Sequence, residues 1–156
     1  ETTRTALTGH PRIHFFAHGL GDKNETLPFY SFVAGNVGAS SLFKRIDFDR
    51  TQKETGQVDI VKLIDFVKTH DIEEIDLLCM DVQGYELNIL KGAEDFIKKI
   101  KYMIIEEPKI NRLCKHYIGA PDAEEIHEFM KKNNFVEIVR LQENLHEDNV
   151  MYKKLK

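Results

Sequence analysis

The apolar run Ile75-Asp76-Leu77-Leu78-Cys79-Met80 is followed directly by Asp81-Val82-Gln83-Gly84 and then by a helical pattern. A near-continuous apolar run closed by a polar turn suits a parallel strand covered on both faces. Ligands of open α/β sheets bind beyond the carboxyl ends of such strands. Asp81 therefore stands where a substrate or cofactor is expected, and the rest of the chain is read around that point.

Strand and helix patterns alternate on both sides of it. Arg12 to His18 is strand-like, and Gly19 to Asn24 reads as a turn. Leu27 to Val33 is a second strand, with Pro28 marking an edge or a strand start. Gly35 to Ser41 is a small-residue loop, and the charged stretch Lys44 to Gly56 is predicted to be exposed. Asp59 to His70 carries Ile60, Leu63, Ile64 and Val67 at helical spacing. Beyond Asp81, a helix over Glu86 to Ile100 places Ile89, Leu90, Ala93, Phe96, Ile97 and Ile100 on one face. Gly92 inside it costs about 1 kcal/mol against Ala, which calls for a packing reason. Tyr102 to Glu106 is a second buried strand, stopped by Pro108. Asp122 with Glu125 forms a capping box opening a helix that presents Ile126, Phe129 and Met130. Phe135 to Leu141 and Val150 to Leu155 then read as an antiparallel hairpin. The fold class is α/β, a mostly parallel sheet with an antiparallel edge, in one domain over residues 1–156. Its expected core includes Leu77, Leu78, Ile89, Leu90, Phe96, Ile104, Ile105, Ile126 and Phe129.

Composition removes several function classes. The net charge of -4 argues against a broad nucleic-acid footprint. No apolar run reaches the roughly 18–20 residues of a membrane span, and Glu1 to Thr5 lacks a signal peptide's apolar segment. Two cysteines make no disulfide scaffold; Cys79 reads as a small buried hydrophobe, and the setting expected is reducing and cytoplasmic.

Other constellations compete for the chemistry. Asp81-Val82-Gln83-Gly84 fits the switch motif of GTPases, but the chain has no phosphate-cradling G-x-x-x-x-G-K-[ST] loop. His10, His14 and His18 share one parity, so a strand there would place them on one face, a candidate zinc set. No other metal-ligand pattern supports a metal, and none is assigned. Cys114 and His116 lack an orienting third group, and Ser40-Ser41 lacks a nucleophile elbow. Asp81 and Glu106 remain. Both end predicted strands and would share one crevice if those strands are neighbours. A carboxylate there is either a general base or cofactor anchor, or simply a helix cap or a lysine's partner.

The segment Ile75 to Glu106 resembles the centre of the FkbM-type methyltransferases. Asp81, Val82, Gln83, Gly84, Glu86, Leu87, Leu90, Gly92 and Ala93 match that family's signature, and Glu106 fits the Glu that ends its next strand. Gly19-Leu20-Gly21-Asp22 with Phe29-Tyr30, Ser40-Ser41-Leu42, and Asn144 to Lys153 with Tyr152 resemble its flanking parts. The chain has Asp148-Asn149 where the family usually has Gly-Asp. The resemblance implies a Rossmann-like fold and S-adenosylmethionine as cofactor, with methyl transfer to a hydroxyl of a sugar or other small-molecule acceptor. It also implies that Gly19 and Leu20 lie at the adenine end of the cofactor, Asp81 near the methyl-donor end, and Glu106 close to the acceptor. The family's first strand, glycine-rich loop and ribose-binding acid have no counterpart here, so the reading is of a partial domain with its N-terminal part missing. The rival reading is a non-catalytic α/β binding module. Neither names the acceptor or the oligomeric state.

Overall fold

The computed structural model describes residues 10–32, 37–46, 52–109, 117–142 and 146–155. Among the described residues, seven strands form two sheets where a single, mostly parallel sheet was expected, and two of the five strand pairings are parallel. In the first, β1 (Gly19–Gly21) runs parallel to β3 (Gln52–Lys62), and β2 (Glu25–Phe32) pairs with β3 antiparallel. The second has the order β4 (Ile75–Met80), β5 (Ile100–Pro108), β7 (Glu147–Lys154), β6 (Phe135–Gln142). There β4 and β5 are parallel, while β7 runs antiparallel to both β5 and β6.

Three expectations about the first half change. Residues 12–18 form no strand; the strand is the glycine-rich Gly19–Gly21 that had read as a turn. Phe16 and His18 instead stack on Phe66, with ring centroids 5.0 and 5.5 Å apart, so His10, His14 and His18 do not share a strand face. Residues 52–56, expected in an exposed loop, belong to β3 and pair with β2. The predicted helix over Asp59–His70 shrinks to α1 (Leu63–Thr69), because Ile60, Val61 and Lys62 pair with β1. The Asp59 carboxylate also accepts a 2.8 Å hydrogen bond from Thr26 across the sheet. Strand pairing overrides the helical spacing. Pro28 does lie in an edge strand, as its missing N–H requires.

The long helix expected after Asp81 divides in two. Its α-helical part, α2, covers Glu86–Gly92, and a 3-10 segment follows over Glu94–Lys99. Glu94 adopts φ +47°, through which no α-helix continues. Gly92 has the packing reason its position demanded: a Cβ there would lie 1.8 Å from the Gly21 carbonyl oxygen. Helix and strand β1 meet backbone to backbone. The last helix, α3 (Ala123–Lys132), opens with the predicted capping box, Asp122 accepting from the Glu125 N–H and Glu125 from the Asp122 N–H, both at 2.9 Å.

The core lies on one side of the four-stranded sheet. Met103, Ile105, Val150 and Tyr152 face Leu90, Ile97, Ile126 and Met130 from the helical layer, all at 3% exposure or less. Of the predicted core, Ile89, Leu90, Ile105 and Ile126 are buried, and Leu78, Phe96 and Phe129 partly so. Leu77 and Cys79 are not: Leu77 is 47% exposed and Cys79 is exposed. Strand β4 is the edge of its sheet among the described residues, and its outward face has nothing packed over it to bury them.

Candidate active site

The parallel register of β4 and β5 sets Met80 beside Ile105, so Asp81, just past the end of β4, lies beside Glu106, which does not end its strand as expected but stays within β5, paired with Asn149 of β7. The chain then turns sharply. Gln83 (φ +54°) and Gly84 (φ +98°) both take left-handed backbone, and a Cβ on Gly84 would approach Ala120 to 2.9 Å. The turn is held from within by Glu86, 2% exposed, whose carboxylate accepts from the Val82 and Gly84 N–H groups at 3.1 and 3.3 Å. Burial pushes the Glu86 carboxyl up to about 7, against those backbone donors, which pull it down. From outside, Ser41 donates to the Gln83 carbonyl at 2.7 Å.

Asp81 and Glu106 are linked through Gln83. Its side-chain nitrogen donates to Asp81 at 2.8 Å and to Glu106 at 2.6 Å. Burial pushes Glu106 up to about 8, helped by the negative charges of Glu147 and Asp81. A carboxyl that titrates there is suited to proton exchange near neutral pH. Asp81 itself is exposed.

Beside this pair opens a cleft of about 270 Å³. Its wall includes Gly19 and Leu20 from β1, Ser40, Leu42, Asp81 and Val82. Tyr85 and Ile89 add to the lining, making it apolar with a carboxylate at one side. The cleft thus brings Gly19 and Leu20 together with Asp81, far from them in sequence. Glu106 is not part of the wall and is linked to it through the Gln83 amide and through Asp81.

Glu107, next in the chain, points the other way, into the core. It is fully buried and takes hydrogen bonds from Tyr152 (2.5 Å) and Arg140 (3.3 Å), with His127 at 2.9 Å. Asp148, whose place in the family's pattern was irregular, is buried against Arg140 and Lys109 at 3.3 and 3.4 Å. These contacts bind the C-terminal hairpin to β5. Sequence reasoning found Asp81 and Glu106 but not the bridging role of Gln83 or the turn-holding role of Glu86. The signal for Glu86 was a carboxylate set between Tyr85 and Leu87 in an apolar helix start. Cys114 and His116 lie outside the described residues. No group of three or more metal-ligating side chains occurs among the described residues, and no helix among them is long and apolar enough to cross a membrane.

Two parallel strands carrying linked carboxylates beside an apolar cleft make this a mixed α/β protein with a candidate site at the end of its sheet. The chain belongs to the FkbM methyltransferases: it matches the methyltransferase FkbM domain over residues 3–137. No curated protein and no solved structure matches it.

Proposed function

We propose that this chain is the carboxyl-terminal part of an S-adenosylmethionine-dependent O-methyltransferase domain acting on a hydroxyl of a sugar or other small metabolite. The observation that carries the proposal is the joined Asp81–Glu106 pair at the edge of a cleft lined by Gly19 and Leu20. Leu20, Leu42, Val82 and Ile89 offer apolar surface to a planar base, and the Asp81 carboxylate suits hydroxyl or cationic groups, so the residues present fit part of such a cofactor. When bound, the cofactor supplies an electrophilic methyl group on a sulfonium centre. The chain's own residues supply charge and orientation. Asp81, Glu86, Glu106 and Glu147 make the neighbourhood acidic, which favours a cation. An ionised carboxylate of the pair accepts the acceptor hydroxyl's proton as the oxygen gains its methyl group.

The open outer face of the four-stranded sheet supports the partial-domain reading. Parallel strands are ordinarily covered on both faces. Here Leu77 of β4, which runs parallel to β5, is 47% exposed on the uncovered side, and Val139 and Leu141 of the antiparallel β6 are 42% and 63% exposed. Rossmann-like completion would add a layer there. The rival, a non-catalytic binding module, draws on the cleft's size, which falls just below the roughly 300–1,000 Å³ of full ligand pockets. Methyl transfer from labelled cofactor by the complete protein, across a panel of polyols and hydroxylated metabolites, separates the two. Turnover supports the transferase; tight cofactor binding without turnover on any hydroxyl supports the binding module.

A further inference from the structure

Gln83 has more partners than a turn residue needs. Its side-chain nitrogen carries two hydrogens, and two carboxylate oxygens lie 2.8 and 2.6 Å away, on Asp81 and Glu106. Its side-chain oxygen faces the Tyr117 hydroxyl at 2.8 Å, and the same hydroxyl lies 2.9 Å from the Ala39 carbonyl. The two carboxyl groups favour one direction of the amide. Reversed, its carbonyl oxygen would meet two carboxylates and its nitrogen the hydroxyl, giving up two charge-assisted bonds. Tyr117 is 4% exposed, so its hydroxyl is fixed by packing. The backbone of Gln83 is also held in a left-handed conformation, a costly one for a residue with a side chain.

We propose that Gln83 is the positioning residue of the Asp81–Glu106 pair, holding the two carboxyl groups together with its two N–H donors while the Tyr117 hydroxyl fixes the direction of the amide. Its consequence for catalysis rests on the methyltransferase reading; the geometry does not. In this chain an amide supplies what the arrangement uses, two N–H donors and one acceptor. A carboxylate in place of Gln83 would add a third negative charge to a cluster that Glu86 of α2 and Glu147 of β7 already make acidic. Arg45 is the cation whose charge acts on Tyr117. A shorter side chain would reach one carboxylate and release the other.

The decisive measurement is a carbon-13 titration of the Glu106 carboxyl in this 156-residue chain, comparing wild type with Gln83→Met. Methionine keeps the length and the unbranched stem, so the backbone cost is unchanged while both donors are lost. Donors that favour the ionised form are then missing, and the Glu106 midpoint should rise by about one pH unit, a tenfold gain in proton affinity. Tyr117→Phe should move it the same way by less, because the amide is freed but not removed. An unmoved or lowered midpoint in a folded Gln83→Met protein overturns the proposal. Should that variant not fold, wild-type amide exchange decides: the Gln83 side-chain protons should exchange at least about tenfold more slowly than those of exposed Gln57. Equal rates overturn it. In the complete protein, Gln83→Met should shift the pH profile of methyl transfer in step with the Glu106 midpoint. Absence of transfer by the wild type would sink the methyltransferase reading and leave the titration result standing.

Discussion

Glu106 and Glu107 are neighbours in one strand, yet they occupy opposite chemical worlds. Glu107 faces the helical layer, where Tyr152, His127 and Arg140 surround it and no solvent reaches it. Glu106 faces the other side, where its partners are the Gln83 amide and the Asp81 carboxyl. The contrast extends along the sheet. Met103, Ile105, Val150 and Tyr152 line a finished core, whereas Leu77, Cys79, Val139 and Leu141 alternate with them onto an open face. Both faces are largely apolar, so the strands carry the pattern of two-sided burial, but among the described residues only one side is filled. The candidate chemistry lies on the unfinished side.

If that division is functional, Asp81→Asn gives the largest effect. Asn caps and turns about as well as Asp, so stability should change by only a few tenths of a kcal/mol. Methyl transfer by the complete protein should fall about 10²–10⁴-fold, as removal of acid–base catalysis does. Near-normal turnover with unchanged melting would make Asp81 scaffold.

Truncations on the two faces then test the comparison directly. Ile105→Ala, on the closed face, should cost roughly 2–5 kcal/mol in denaturant unfolding. Leu77→Ala, on the adjacent strand but the open face, should cost under about 0.5 kcal/mol in this chain. A core-like cost at Leu77 would mean the outer face is covered in solution. Gly92→Ala belongs with the closed face, because the new Cβ must displace the Gly21 carbonyl; about 3 kcal/mol is expected, with α2 shifting off β1. The cofactor itself should bind this chain weakly or not at all in calorimetry, because the open side lacks a layer. Affinity at micromolar or better, about -8 kcal/mol, would break the partial-domain reading.

The parts of this molecule that were legible in sequence are those governed by local rules. The Asp122–Glu125 capping box, the C-terminal hairpin and the parallel run before Asp81 follow from cap chemistry and alternation. What misled was non-local. Asp59 to Lys62 had helical spacing, but pairing with β1 and β2 made them strand. Leu77 and Cys79 had core chemistry, but their burial depends on a layer the described residues do not provide. At the site, the carboxylates were visible because strand ends are where ligands sit. Gln83 and Tyr117 were not, since nothing in sequence tells that residues 34 apart share a hydrogen bond.

Glu86 offers the most discriminating effect, because it sits on the closed side yet supports the turn that carries Asp81. Its folded carboxyl titrates near 7, above the ordinary 4.5, so the folded state binds a proton more tightly than the unfolded chain. The sign follows from linkage: between pH 4.5 and 7 folding takes up a proton, and stability therefore falls as pH rises through that window. Glu86→Gln keeps a carbonyl oxygen able to accept from the Val82 and Gly84 N–H groups while removing the charge that burial penalises. The variant should match wild type near pH 4.5 and exceed it by about 2 kcal/mol above pH 7, read as a flattened stability profile in urea unfolding at several pH values. A variant that instead loses stability at every pH would show that the turn needs the carboxylate's charge, and that the closed face supports the site by ionic attraction rather than by shape.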